Sequence, residues 1–153
     1  MRFWDSSALI PLLIAEPTSA LVTHWLTIDT VIEVWALTRI EMLSALERRR
    51  RNGPASKTQI ASARRQLNQL SSFWNVVSDI ERVGRQAERL LQAYPLRAAD
   101  SLQLGAAIVA AEGRPSSLDF ATFDRRLADV PCARVSMFSA GDYTAAKDLP
   151  CPT

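Results

Sequence analysis

The segment that decides the fold lies near the start of the chain and reads Phe3-Trp4-Asp5-Ser6-Ser7-Ala8-Leu9. Phe3 and Trp4 indicate the end of a short buried strand, and the two serines can cap the helix that we predict over residues 8–15. Asp5 lies at the junction between them. Apolar surroundings raise the free energy of an ionised carboxylate unless a cation or a hydrogen-bond donor compensates it. The sequence therefore raises the question of what compensates Asp5.

Three more acidic residues lie in similar surroundings. They occur in Ile40-Glu41-Met42-Leu43, Ala98-Ala99-Asp100-Ser101-Leu102 and Ala121-Thr122-Phe123-Asp124-Arg125. Acids that recur beside apolar segments indicate a shared partner, because isolated buried carboxylates are unfavourable. Our candidate site residues are therefore the acids of these four segments: Asp5, Glu41, Asp100 and Asp124.

Strand-like and helix-like pieces alternate along the rest of the chain. We predict strands at residues 3–4, 30–32, 75–77, 118–123 and 134–138, and helices at 8–15, 19–26, 34–50, 56–70, 80–93, 98–111 and 125–128. Such alternation is typical of βαβ units and a mostly parallel sheet. The functional crevice of an open parallel sheet lies beyond the carboxyl ends of its strands, where Asp5 and Asp124 fall. The four acidic segments are therefore expected to converge there.

Helix capping is the competing explanation for three of the acids. Each of the three aspartates stands where a predicted helix begins, and an N-cap Asp stabilises its helix by about 1 kcal/mol. Glu41 is different because it falls inside a predicted helix. We predict that it lies on an inward stripe formed by Leu37, Ile40, Ser44 and Ala45. Its own alternative is a buried ion pair with an arginine such as Arg97.

Length and composition set the limits on organisation. A chain of 153 residues with 48% hydrophobic content can bury one sizeable core. We predict one domain over residues 1–140 and a poorly ordered tail over 141–153. The apolar run at residues 8–15 is far shorter than the roughly 20 residues of a membrane span. Cys132 and Cys151 form no Cys-x-x-Cys pair, so we predict two free thiols. We also predict no membrane association and a cytoplasmic location.

Four motifs together resemble one known family. They are the opening segment 3–9, Glu41-x-x-Ser44-Ala45-Leu46 with Arg48 to Arg51 after it, Leu96-Arg97-Ala98-Ala99-Asp100-Ser101-Leu102, and Thr122-Phe123-Asp124-Arg125-Arg126-Leu127. In this order and spacing they resemble PIN-domain proteins of the VapC toxin type over nearly the whole chain. One departure is Gln103, where similar proteins often carry His, and we expect it to be unimportant for metal binding.

The resemblance implies both a fold and an activity. The fold is a PIN-like three-layer α/β arrangement, with a central mostly parallel sheet flanked by helices. The activity is that of a metal-dependent ribonuclease, usually dimeric and held inactive by a VapB-type antitoxin. The implied acidic quartet is Asp5, Glu41, Asp100 and Asp124, with Asp119 as a reserve candidate.

Carboxylates suit the chemistry that such an enzyme needs. Mg²⁺ takes oxygen ligands in octahedral geometry and is commonly held by one or two carboxylates plus substrate phosphate. We predict Mg²⁺, with Mn²⁺ as a substitute, bound directly by Asp5 and Asp100. The other two acids would hold metal-bound waters or a second ion. Ser6 and Thr122 are predicted accessory hydroxyls, or else simply an N-cap serine and a strand threonine.

Arginines supply the predicted contacts to nucleic acid. The run Arg48-Arg49-Arg50-Arg51 can bind RNA phosphates, or it can simply stabilise a helix C-terminus through the helix dipole. A groove in the regions of Leu12, Trp35 and Leu37 is the predicted docking surface for an antitoxin helix.

Three functions remain open from the sequence. The first is an endoribonuclease that acts as the toxin of a toxin–antitoxin pair. The second is a non-catalytic PIN-like dimer that binds RNA or a partner protein. The third, a receiver-type signalling module, fits less well, because such a module would have paired acids near its first strand and a lysine after a late strand. Asp5 stands alone, and Lys147 lies in the predicted tail.

Overall fold

A five-stranded parallel sheet forms the centre of the computed structural model, which describes residues 2–53, 55–111, 119–130 and the backbone of 134–136. The strands are β1 (Arg2–Trp4), β2 (Ile32–Trp35), β3 (Trp74–Val77), β4 (Asp119–Ala121) and β5 (Arg134–Ser136). Their order across the sheet is β3-β2-β1-β4-β5, and all four pairings are parallel. The first strand of the chain is therefore the central strand.

Helices connect the strands. They are α1 (Ser6–Leu9), α2 (Ser19–Ile28), α3 (Thr38–Asn52), α4 (Lys57–Ser71), α5 (Ile80–Ala93), α6 (Ala98–Ala110) and α7 (Arg125–Ala128), with a 3-10 turn at Ile10–Leu12. None of the helices in the described ranges combines the length and apolar character that crossing a bilayer requires. The predicted tail, residues 141–153, lies outside the described residues, so the domain limits stay a prediction.

Two hydrophobic cores lie on opposite faces of the sheet. Successive side chains of a strand point to opposite faces, so Phe3 and Trp4 of β1 enter different cores. Phe3 stacks on Phe120 of β4 and packs with residues of α5, α6 and α7. Trp4 packs with residues of α1, α2, α3 and α4. Helices therefore cover both faces, which confirms the predicted three-layer α/β arrangement.

The tight packing of α6 depends on a residue without a side chain. A Cβ atom added at Gly105 would lie 3.0 Å from the Val83 carbonyl oxygen and 3.2 Å from the Ala87 nitrogen of α5. Such a contact is closer than ordinary packing allows, so the backbones of α5 and α6 can approach only at a glycine. The close approach fixes α6, whose first turn carries Asp100.

The predicted boundaries are wrong at two places near the site. Strand β2 spans Ile32–Trp35 instead of residues 30–32, because Val34 and Trp35 are buried in the sheet and such β-branched and aromatic residues favour strands. Helix α3 therefore begins at Thr38 instead of residue 34. The helix predicted over residues 8–15 ends at Leu9, where a 3-10 turn containing Pro11 follows, because proline restricts the residue before it and cannot donate a backbone hydrogen bond.

Candidate active site

One pocket at the carboxyl ends of the central strands brings the four candidate acids together. Its lining includes Asp5, Glu41, Asp100 and Asp124. Asp5 directly follows β1, and Asp124 follows β4 after two intervening residues. The two remaining acids arrive on α3 and α6, which pack on opposite faces of the sheet. Residues separated by more than a hundred positions thus share one cavity.

All four acids stand at the start of a helix. Asp5 and Asp124 are the N-caps of α1 and α7, and Asp100 accepts a hydrogen bond of 3.3 Å from the Arg97 backbone N–H at the start of α6. Glu41 lies in the first turn of α3. The predicted helix capping by the aspartates therefore does occur. Backbone N–H groups at the helix starts provide partial positive charge to each acid. Capping does not explain why the four helix starts meet at one point.

Asp5 is the most buried of the acids, with 4% of its surface exposed. Its Oδ2 accepts hydrogen bonds from the Ser7 N–H at 3.1 Å, from the Thr122 hydroxyl at 3.0 Å and from the Ser7 hydroxyl. Burial raises the pKa of the Asp5 carboxyl, and these neutral donors offset the rise only in part. Within the described residues, no ion pair compensates this carboxylate.

Hydroxyl groups tie Asp5 to the end of β4. The predicted accessory Thr122 is fully buried and contacts Asp5 directly, while the Ser6 hydroxyl lies 3.4 Å from the Asp5 Oδ1. Sequence reasoning missed Ser7, whose hydroxyl also accepts a 2.9 Å hydrogen bond from the Phe123 N–H. The signal was present, because an aspartate followed two residues later by a serine is a common local hydrogen-bonded turn.

Glu41 reaches the pocket for a reason different from the predicted one. The predicted inward stripe is wrong, since Leu37 and Ile40 are 46% and 61% exposed, and the buried face of α3 carries Met42 and Leu46 instead. The buried face is the one that packs against α1 and α4. Glu41 itself is half-buried at the edge of that face, and its carboxylate turns into the pocket.

Gln103 on α6 is the partner of Glu41. Its side-chain amide donates hydrogen bonds to the Glu41 Oε2 and, at 3.3 Å, to the Thr38 hydroxyl. Burial raises the pKa of the Glu41 carboxyl, and the hydrogen bond from Gln103 offsets that rise only in part. The charges of Asp5 and Asp100 raise this pKa further. The alternative ion pair with Arg97 does not occur among the described contacts. Gln103 lines the pocket, and its importance for metal binding stays a prediction.

The other two acids share a cation. The Arg126 guanidinium contacts the Asp124 Oδ2 through Nη2 at 2.8 Å, and its Nε lies 3.6 Å from the Asp100 Oδ2. The Asp124 Oδ1 also accepts the Arg126 backbone N–H at 2.9 Å. These hydrogen bonds and the positive charge hold the pKa of the Asp124 carboxyl below its usual value.

The reserve candidate Asp119 does not join the site. It lies on β4, and its carboxylate forms an ion pair of 3.7 Å with Arg2. Asp119 pairs with Arg2 in register at the beginning of both strands, whereas the pocket opens at their carboxyl ends. Asp119 is therefore excluded from the pocket by its position along the strand.

The arginine run predicted to bind RNA divides into different environments. Arg49 pairs with Glu16, and Arg50 pairs with Glu47, which also binds Arg64. Arg48 lines the pocket, and Arg51 is exposed. Arg97 and Arg125, which sequence reasoning did not assign to RNA, also line the pocket. Of the arginines that line the pocket, Arg48, Arg97 and Arg125 take part in none of the described ion pairs, so they are available to an anion.

The donor set fits a hard divalent cation chemically, although the side chains are not arranged around one point. Among the described residues, no three or more acidic, His or Cys side chains form a ready metal-binding group. The reason is visible in the contacts, since Asp124 faces Arg126 and Glu41 faces Gln103. Carboxylate oxygens are the ligands that Mg²⁺ prefers, and Asp5, Glu41 and Asp100 all turn into the same pocket.

Comparison with known proteins gives the family. The sequence matches the PIN domain over residues 2–131, so the chain belongs to the PIN domain family. The structure is similar to PAE2754 from Pyrobaculum aerophilum, at 28% identity and a TM-score of 0.55 over 82% of this chain and 81% of that chain. It is also similar to a toxin–antitoxin complex from Klebsiella pneumoniae, at 17% identity and a TM-score of 0.58 over 87% and 95% of the two chains.

FitAcB from Neisseria gonorrhoeae has the same fold, at 17% identity and a TM-score of 0.58 over 83% of this chain and 90% of that chain. A comparison with curated proteins gives no match. PIN domains are generally nucleases, so the family supports a nuclease, and therefore a hydrolase, in general terms.

Proposed function

We propose that this PIN-domain protein is a Mg²⁺-dependent endoribonuclease, with Mn²⁺ as a substitute, and that it is the VapC-type toxin of a toxin–antitoxin pair. The observation that carries the proposal is the meeting of four carboxylates from four separate segments in one pocket. Asp5 and Glu41 have raised pKa values there and no cationic partner among the described residues. Such a cluster is unfavourable unless the pocket binds positive charge.

The four acids have different proposed roles in binding the ion. Asp5 and Asp100 are the direct ligands of the ion, and Asp5 is held in one orientation by Thr122. Glu41 and Asp124 act through water ligands or hold a second ion. A bound Mg²⁺ supplies stabilisation of the negative charge that develops on phosphoryl oxygens. Glu41 is suited to accept a proton from the attacking water, because a carboxylate whose pKa is raised is a stronger base than an ordinary one.

The arginines of the pocket support an anionic polymer as substrate. Arg48 and Arg97 approach the acids from α3 and from the start of α6, and Arg125 lines the same pocket from α7. Cations beside a cluster of acids suit a phosphodiester backbone, which carries negative charges on both sides of the cleaved bond. Binding through these contacts depends on salt and is largely independent of sequence. We therefore propose RNA as the substrate, recognised through its backbone and shape rather than through its sequence.

A cleavage assay with matched variants tests the proposal. Asp5→Asn preserves the size of the side chain but removes a proposed ligand, and Glu81→Gln removes an exposed acid far from the pocket. We expect wild type and Glu81→Gln to cleave structured RNA with Mg²⁺ or Mn²⁺ and to stop in EDTA. Asp5→Asn should lose activity by about 100-fold or more, in line with the loss of a group that acts on transition-state charge. Equal cleavage by Asp5→Asn and Glu81→Gln would reject the site.

An antitoxin is the proposed protein partner. One of the similar structures is a toxin–antitoxin complex from Klebsiella pneumoniae, and another is FitAB bound to a DNA fragment. The predicted docking groove needs one correction, since Trp35 is 3% exposed and belongs to the core. Leu37 and Ile40 remain exposed next to Glu41 and can receive an apolar helix face. Co-purification with a VapB-like protein that abolishes cleavage is the expected result.

A homodimer and a non-catalytic role are the other proposals to be tested. The edge strand β3 and the residues beside it expose Phe73, Val76 and Ile80, and large exposed apolar side chains support a subunit interface. Light scattering should give twice the monomer mass.

A protein that binds RNA in EDTA but never cleaves it with metal would instead be a non-catalytic PIN-like binder. Membership in the PIN family leaves no support for the receiver-type module.

A further inference from the structure

Arg126 lies close to two of the four pocket acids at once. Its guanidinium forks onto Asp124 with contacts of 2.8 Å from Nη2 and 3.4 Å from Nε, and the same Nε lies 3.6 Å from Asp100. Both oxygens of Asp124 are occupied by Arg126, since Oδ1 also accepts its backbone N–H. Two of the four pocket acids, from two different helices, therefore already have a cation from the chain itself.

Among the described contacts, no cation pairs with the other two acids, Asp5 and Glu41. Asp5 is compensated by hydroxyl and amide donors, and Glu41 by the Gln103 amide. The neighbouring Arg125 also lines the pocket, yet no described ion pair involves it. Arg126 is thus distinguished by its contacts and not simply by its position next to the acids.

On the basis of the proposed function, we infer that Arg126 sets the metal affinity of the site by acting as an internal cation that competes with the divalent ion for Asp100 and Asp124. A guanidinium is permanently charged, so it neutralises the carboxylates at every physiological pH. A divalent ion that approaches the same oxygens must either displace the guanidinium or bind beside its charge. Both possibilities weaken metal binding.

The competition is reversible because the Arg126 side chain is accessible to solvent. Its side chain is 42% exposed, compared with 11% for Asp100. Exposed ion pairs are weak, so the side chain can rotate into solvent at small cost. The ion therefore wins at sufficient concentration, and the metal-free protein avoids the full repulsion among its four acids.

Direct titration with Mn²⁺ tests the inference. The free-ion signal in electron paramagnetic resonance measures binding without any need for cleavage. We expect Arg126→Gln to bind Mn²⁺ about three to ten times more tightly than wild type, from the loss of one exposed forked pair and its charge. Arg125→Gln is the matched control, since it removes the same charge one residue away. Its affinity should change by about twofold or less, because solvent and salt screen charges that lack contact.

A conservative variant and a second readout complete the design. Arg126→Lys keeps the charge but loses the fork, so its affinity should lie between those of wild type and Arg126→Gln. The metal-induced rise in melting temperature should be largest in Arg126→Gln, whose backbone N–H still completes the cap on Asp124.

The outcomes separate this inference from the proposed function. If wild type binds Mn²⁺ and Arg126→Gln binds no more tightly than Arg125→Gln, the competition is overturned and the nuclease proposal stands. If neither wild type nor any variant binds Mn²⁺, both proposals are overturned. Tighter binding in Arg126→Gln alone, together with its larger thermal shift, supports the competition.

Discussion

The two sides of the acidic pocket are compensated in different ways. Asp5 and Glu41 have only neutral hydrogen-bond donors, and burial raises the pKa of each carboxyl. Asp124 is paired with Arg126, which lowers its pKa, and the same guanidinium lies near Asp100. The charged forms of Asp5 and Glu41 therefore destabilise the folded state, whereas the charged form of Asp124 stabilises it. The difference shows how a fold can hold four acids together: a cation of the chain offsets the charge of two of them, and neutral donors serve the other two.

The largest expected effect is the stabilisation of the fold by an ion bound at the proposed ligands, Asp5 and Asp100. Saturating Mg²⁺ or Mn²⁺, at about 100 times its dissociation constant, should stabilise the fold by about 2.7 kcal/mol, because the ion binds only the folded state. The rise in melting temperature measured by circular dichroism should be absent in Asp5→Asn and in Asp100→Asn. An unchanged melting temperature in the wild type would show that the pocket does not bind these ions.

The next largest effect is expected from removing the Gln103 side-chain amide, which donates a hydrogen bond to Glu41. Gln103→Leu removes the donor and leaves a half-buried carboxylate without its partner, so we expect a loss of about 1–2 kcal/mol in unfolding free energy. Activity should fall by about tenfold, as expected when a group that orients a metal-site residue is lost. Urea denaturation and the RNA assay measure the two effects. Gln69→Leu, exposed on α4, is the control, and equal behaviour of the two variants would contradict a positioning role.

A smaller effect should reverse sign between the two sides of the pocket. The folded state raises the pKa of Glu41 above its ordinary value of 4.5, so the charged carboxyl destabilises the fold above the folded pKa. Glu41→Gln should therefore stabilise the metal-free protein near neutral pH. Because solvent screens this half-exposed group, we expect a gain of only about 0.5 kcal/mol. The gain should fade as the pH falls through the folded pKa.

Asp124→Asn should show the opposite pH dependence. The folded state lowers the pKa of Asp124 below its ordinary value of 3.8, so its charge stabilises the fold at all pH values above that value. We expect the variant to lose about 0.5–1 kcal/mol near neutral pH, since its partner is an exposed arginine. The loss should disappear as the pH falls through the folded pKa. Denaturation series in EDTA over pH 3–8 measure both variants, and effects of the same sign would contradict the comparison.

Local sequence patterns predicted much of the fold because they depend on neighbours in the chain. The alternation of Phe3 and Trp4 places one side chain in each core, as strand geometry requires. The helix predicted over residues 80–93 has the observed limits, since its apolar residues recur at helical spacing. The start of α3 was wrong because Val34 and Trp35 suit either a helix or a strand until β3 pairs with them.

The sequence by itself determined which acids stand beside apolar segments and which strand ends carry them, because hydrophobic periodicity and the direction of parallel strands are local properties. The tertiary structure decided which cation faces which acid: Arg126 rather than Arg97 or Arg125 pairs with Asp124, and the Gln103 amide meets Glu41. These pairings depend on how α3, α6 and α7 pack around the sheet. Contacts between remote segments follow from that packing, and the distances that set charge interactions exist only after it forms.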